Sequence, residues 1–132
     1  MLPAHTLIDG NTENIRVTKL YKTHEMNGET KQLVLTSNDT TLKKKYGGPQ
    51  IYTVKIRAKN GVPVIKPDTE VQVYCSCHDF IFRRAYCLNQ VGSLLIPEGF
   101  LDEAPTETNP NCTKKHCKHI SHALRYLIST GR

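Results

Sequence analysis

The chain has 132 residues, with 18 Lys and Arg against 12 Asp and Glu, for a formal net charge of +6. This length is typical of a single domain, and no run approaches the roughly 20 apolar residues that a membrane span requires. The first ten residues, MLPAHTLIDG, contain no basic region followed by an apolar stretch, so no secretory signal is predicted. We therefore expect an intracellular protein, or one assembled inside a cell, that does not contact a membrane.

The first half of the sequence predicts a β-rich scaffold over residues 1–66. Residues 1–12 are predicted to be an irregular lead-in. The segment 15–23 favours a strand, with a helix as the alternative, and residues 31–37 favour a second strand. Asn27-Gly28 lies between these segments and is a strong signal for a two-residue hairpin turn, so a β-hairpin is expected.

The strand pattern resumes after a polar interruption. The segment 41–50, TLKKKYGGPQ, is typical of an exposed loop. Residues 51–65 then favour further strand structure around a turn at Asn60-Gly61. After another turn, the segment 70–77 alternates so that Val71, Val73, Cys75 and Cys77 fall on one strand face.

The second half, residues 67–132, is predicted to add helices to this sheet. Asp79 can cap a helix over residues 80–90, which Gly92 would end, and residues 93–111 are loop-like and acidic. The last segment predicts an amphipathic helix that Gly131 would terminate. Its apolar residues recur with helical spacing: Ile120, Ala123, Leu124, Leu127 and Ile128.

All five cysteines lie in this second half: Cys75, Cys77, Cys87, Cys112 and Cys117. An odd count without a secretory signal argues for reduced thiols rather than a disulfide framework. Cys75-x-Cys77 directs two thiols from one strand face, and Cys117-x-His119 directly precedes the final helix. Three sulfurs and one imidazole form a closed four-coordinate set that suits structural zinc.

The pattern Cys-x-Cys, a variable spacer and Cys-x-His before a helix resembles the SWIM-type zinc finger. The fuller segments CSCHDFIFR, NPN and CKHISHALRYL are similar to the version found in small proteins of tailed bacteriophages. The resemblance covers about residues 70–128 and implies one zinc ion held by Cys75, Cys77, Cys117 and His119. It also implies an insert over residues 78–116 and a role in binding DNA or protein.

Several alternatives stay open at this level. The spacer between Cys77 and Cys117 is longer than is usual in SWIM fingers, so Cys112 could replace a thiol ligand, and His116 or His122 could replace the imidazole. The cysteines could also be ordinary small core residues, which is the preferred interpretation of Cys87.

Cations suggest a second class of function. No acidic residue occurs from Cys112 to the end, and the basic residues of this stretch could contact phosphate, as could a loop cluster. The candidates are Lys114, Lys115, Lys118 and Arg125 near the second ligand pair, and Lys43, Lys44 and Lys45 in the loop. A run of lysines in a glycine-rich loop is also typical of plain solvated surface.

Catalysis has little support, because the sequence contains no zinc-deaminase signature, H-E-x-x-H helix, P-loop or nucleophile elbow. Four protein ligands would also leave no position for a metal-bound water. The sequence therefore predicts an α+β protein: an antiparallel β scaffold followed by a ββα SWIM-like zinc module with a C-terminal amphipathic helix. We expect a non-catalytic virion or assembly component that binds protein partners, in the virion or host cytoplasm, with a nucleic-acid-binding module as the alternative. No small-molecule substrate is expected.

Overall fold

In a computed structural model, the chain forms a five-stranded antiparallel sheet with a C-terminal helix packed on one side. The structure describes residues 1–10, 12, 14–25, 28–37, 50–77, 80, 85–95 and 117–132. The strands are β1 (Leu2–Pro3), β2 (Ile15–Glu25), β3 (Gly28–Ser37), β4 (Gln50–Ala58) and β5 (Glu70–Cys75). The helices are α1 (Ala85–Gln90) and α2 (Lys118–Ser129). The protein is thus α+β, as the sequence predicted.

The strand order is β1-β5-β4-β3-β2, so β4 and β5 are neighbours in one sheet. The predicted hairpin is confirmed, because β2 and β3 pair down to Glu25 and Gly28, while Asn27 lies outside the described residues. A register shift between Val17 and Lys19 interrupts this pairing. The predicted boundary between residues 66 and 67 falls between the neighbouring strands β4 and β5.

One sheet face forms the core with α2, because the strands alternate apolar and polar residues. Alternate residues of β5, Val71, Val73 and Cys75, are buried on this face, as the period-2 pattern predicted. The buried face of α2 comprises Ile120, Ala123, Leu124 and Leu127. Removing these side chains from water supplies the main packing energy between helix and sheet.

The end of α2 has a defined stop. Gly131 adopts a left-handed conformation with φ of 71°, which a residue without a Cβ adopts at little cost. The backbone N–H of Arg132 donates to the carbonyl of Leu127 at 2.9 Å, and that of Gly131 donates to the carbonyl of Ile128 at 3.3 Å. This pair of bonds is a Schellman motif, so the prediction that Gly131 ends the helix is confirmed.

The N-terminal segment is more ordered than the sequence predicted. Residues 1–12 are not simply irregular: they contain β1, which pairs with β5, and a short 3-10 helix, Ala4–Leu7. Ala4 and Leu7 are completely buried, and the backbone N–H of Ala4 donates to the carbonyl of Thr69 at 2.8 Å. The partners lie more than 60 residues away, so a local pattern could not indicate this packing.

Three further predictions can be compared with the described residues. Strand structure stops at Ala58, and a 3-10 turn over Lys59–Gly61 follows, so residues 62–65 form no strand. The described helix, Ala85–Gln90, lies within the predicted range 80–90, while residues 81–84 and the predicted cap Asp79 lie outside the described residues. Within the acidic loop 93–111, the described start pairs with the sheet, because Leu94 forms a parallel bridge with Val73. Within the described part, none of the helices combines the length and apolar character needed to cross a membrane.

Candidate metal site

Four side chains predicted as metal ligands converge at one end of the core: Cys75, Cys77, Cys117 and His119. Each can offer one ligand atom, and these atoms all lie within 4.8 Å of one another. A tetrahedral zinc site with Zn–S bonds of about 2.3 Å places its sulfurs about 3.8 Å apart, so a contraction of about 1 Å at most would close the site. These four residues could therefore hold a metal ion.

Separate elements position the four ligands. Cys75 is the last residue of β5, and Cys77 follows two residues later on the same buried face. Cys117 is the N-cap residue of α2, and His119 lies in the first turn of that helix. A metal bound here would therefore join the end of β5 to the start of α2.

The histidine is the clearest sign that a ligand belongs in this site. His119 is only 3% exposed, and neither of its ring nitrogens has a hydrogen-bond partner. A buried imidazole without partners loses its hydration without compensation, which is costly. Its ring packs on Tyr52 of β4, with ring centroids 4.1 Å apart, and this contact fixes the ring orientation. A metal ion would satisfy one of the two nitrogens.

The pKa values of the three thiols are shifted in different directions by their mutual hydrogen bonds and by burial. Hydrogen bonds from Cys117 and Cys75 strongly lower the pKa of the Cys77 thiol. The Phe80 N–H also donates to the Cys77 sulfur, at 3.3 Å. The hydrogen bond with Cys117 raises the pKa of Cys75, while burial raises that of Cys117. Thiols bind a metal in their deprotonated form, so a bound cation would displace their protons.

The position of Cys117 at the start of a helix favours a negatively charged sulfur. It precedes the first turn of α2, where the partial positive charge of the helix N-terminus favours an anion. The first turn of α2 contains no acidic residue that would compete for this field. The site thus combines three soft thiol ligands, one imidazole and a helix N-terminus in a buried space.

The alternative nitrogen ligand His122 lies away from this cluster. Its Nδ1 is 2.9 Å from the hydroxyl of Thr12, and burial lowers the pKa of its imidazole. The other two alternatives, Cys112 and His116, lie outside the described residues. Cys87 is completely buried, as expected for a core residue, but it is disulfide-bonded, which corrects the expectation that all five thiols are reduced.

The predicted phosphate-binding cations have mixed outcomes. Arg125 is engaged inside the molecule: its guanidinium donates to the carbonyl of Gly10 at 2.7 Å and to the hydroxyl of Thr12 at 3.3 Å. Lys118 is exposed in the first turn of α2. The other candidates, Lys43, Lys44, Lys45, Lys114 and Lys115, lie outside the described residues.

A polar contact between α2 and the N-terminal segment was not predicted from the sequence. The hydroxyl of the buried Ser121 accepts from the Asp9 N–H at 2.8 Å and donates to the Asp9 carbonyl at 2.9 Å. With the bonds from Arg125 one turn later, these contacts connect Asp9, Gly10 and Thr12 to the helix. A serine and an arginine four residues apart carry no sequence signal for such a contact.

Comparison of the chain with protein-family models, with curated proteins and with solved structures found no match.

Proposed function

We propose that this chain is a non-catalytic protein stabilised by one structural zinc ion, which Cys75, Cys77, Cys117 and His119 hold. The observation that carries this proposal is the buried His119, whose ring nitrogens lack partners beside three converging thiols. Sulfur-rich sets with one imidazole suit zinc better than the hard cations, which prefer oxygen ligands. Four protein ligands fill a tetrahedron, so the ion has a structural role and no open position for substrate.

The zinc would act as a cross-link between two distant parts of the chain. It would hold the end of β5 against the start of α2, and its binding free energy would add to the stability of the fold. On this basis we further propose that the second half is a SWIM-like zinc module. The resemblance of its ligand segments to those of tailed-phage proteins supports a role as a protein-interaction, virion or assembly component.

A nucleic-acid-binding module is the second candidate function. It rests on the basic stretch from Cys112 onward, in which Lys118 is exposed. The internal bonds of Arg125 weaken this candidate, because a guanidinium that holds Gly10 and Thr12 is less available to phosphate. Retention of the chain on duplex DNA at low salt, with a steep loss on adding salt, would favour it.

Native mass spectrometry after reconstitution with zinc tests the metal proposal. We expect one zinc per chain, and loss of that zinc in Cys75→Ser and Cys117→Ser variants. His119→Gln tests the nitrogen ligand, and His122→Gln is its matched control on the same helix. Loss of zinc in the His122 variant but not in the His119 variant would show that His122, rather than His119, is the nitrogen ligand. A folded parent without bound metal would refute the proposal.

A further inference from the structure

The face of the sheet opposite the core carries a concentration of positive charge. We call it the outer face and define it by four cross-strand rows that the strand register sets. The rows are Arg16-Thr36-Ile51, Lys19-Val34-Thr53, Tyr21-Gln32-Lys55-Tyr74 and Thr23-Thr30-Arg57-Gln72. These rows include four cations and no carboxylate. The next position on this side of β5 is Glu70, which is paired with Lys59 at 2.8 Å.

Apolar and aromatic surface lies among these cations. Ile51 is 71% exposed and Tyr21 is 49% exposed. Tyr74 is half-buried and packs edge-on against Phe80 at one border of the face. The remaining positions are mostly Thr and Gln, which can donate or accept hydrogen bonds. The face therefore combines exposed apolar and aromatic side chains, cations and small polar groups.

The charge and shape of this face favour a polyanion with flat apolar groups. Single-stranded nucleic acid has both properties, because its bases stack on aromatic side chains while cations follow its phosphates. The face spans three interstrand gaps of about 4.8 Å, or about 14 Å, and roughly 20 Å along the strands. A four-stranded sheet can stack two or three bases on such a surface, whereas the grooves of a duplex admit a helix or a two-stranded ribbon.

We propose that the outer face binds single-stranded nucleic acid, with Tyr21 as a stacking platform and Arg16, Lys19 and Lys55 as phosphate contacts. This inference goes beyond the proposed function and does not depend on the zinc site, which lies on the core side of the sheet. It also concerns a surface distinct from the C-terminal cations considered above.

Fluorescence anisotropy with a labelled oligo-dT tests this proposal on the full-length, zinc-loaded chain. Three or four phosphate contacts predict an affinity that falls roughly 20- to 50-fold between about 50 and 200 mM salt. Tyr21→Ala is expected to weaken binding about tenfold at one salt concentration without changing the salt slope, and Tyr21→Phe is expected to restore it. The Lys19→Ala/Lys55→Ala variant should lower the logarithmic salt slope by about 1.4.

Matched controls locate the binding surface. Lys66→Ala removes an exposed charge outside the outer face and should leave the affinity for oligo-dT unchanged, as should Lys118→Ala. Three results would overturn the proposal: no binding of oligo-dT at low salt, loss of binding in the Lys118 variant with the Lys19/Lys55 variant unaffected, or equal competition by poly-glutamate, which would indicate an acidic protein partner. Zinc content, measured in each variant, separates these outcomes from failure of the metal site.

Discussion

Thermal stability should depend on free zinc in a way that counts the ions bound. A ligand that binds only the folded state stabilises it by about 1.4 kcal/mol for each tenfold rise in free ligand above Kd. For a chain of 132 residues, the unfolding entropy near 60 °C is about 0.28 kcal/mol/K. One bound zinc therefore predicts that Tm rises by about 5 °C per tenfold increase in free zinc.

The arrangement of the core indicates that removal of zinc by a chelator would destabilise the fold without unfolding it. Three large residues of α2, Ile120, Leu124 and Leu127, are completely buried, and each contributes about 1.5–3 kcal/mol by leaving water. We therefore expect the chelated chain to retain its circular dichroism at room temperature and to melt earlier.

Circular dichroism melts in a zinc-buffered series provide the assay. Cys75→Ala should give a flat Tm over the zinc range in which the parent responds, whereas His122→Gln should keep the slope. A parent slope of zero would refute metal binding, and a slope near 10 °C per tenfold would indicate two ions rather than one. Complete unfolding on chelation at room temperature would refute the argument that helix packing alone maintains the fold.

Two further predictions concern the buried polar cluster and the hairpin turn. Lys31 is 1% exposed, and its ammonium donates to the Pro63 carbonyl at 2.7 Å and lies 3.7 Å from Glu29. Lys31→Met should therefore lower the free energy of unfolding in urea by about 3–5 kcal/mol, because it leaves the buried Glu29 carboxylate without this cation. Adding Glu29→Gln should recover most of that loss. Burial lowers the pKa of Lys31 in the folded protein, so its positive charge opposes folding below that pKa. The free energy of unfolding of the parent should therefore rise with pH between the folded-state pKa and 10.5, and that of the Lys31→Met variant should not. Equal pH profiles of the two proteins would contradict this. Gly28 has φ of 108°, and a Cβ there would meet the Gly61 backbone. Gly28→Ala should therefore lower the free energy of unfolding by more than 2 kcal/mol, whereas Gly131→Ala, where space is open, should lower it by about 1 kcal/mol. Equal losses in the two variants would show that the hairpin can shift.

The sequence was most informative where chemistry and periodicity coincide. The alternation in β5 placed Val71 and Cys75 on one face, and the helical spacing from Ile120 to Leu127 identified the buried side of α2. The spacing of the two ligand pairs and their resemblance to SWIM-type fingers predicted that these four residues form one cluster, which the structure shows. Short-range signals contributed because each ligand pair lies where a regular element ends or begins: Cys75 is the last residue of β5, and Cys117 is the N-cap of α2.

The sequence was least informative where packing depends on distant partners. The N-terminal segment is short and shows no regular periodicity, and Ala4 is buried only because β5 and the residues before it lie alongside. Lys31 occupies a core-facing position of β3 that a pattern argument assigns to an apolar residue. Its burial depends on the carbonyl of Pro63, which the turn after β4 brings into reach. Neither contact has a local signature.

The contacts of α2 indicate that the candidate metal site and the N-terminal segment stabilise the same docked helix. The metal would fix its first turn through Cys117 and His119, while the Ile65 N–H donates to the carbonyl of Arg132, three residues past the helix end, at 3.1 Å. Ser121 can bond with Asp9 only when the helix lies on the sheet. Zinc binding and the N-terminal contacts should therefore be coupled, so Ser121→Ala should weaken zinc binding although Ser121 is not among the four clustered ligands. Unchanged zinc affinity in that variant would show that the helix start is held independently of the N-terminal segment.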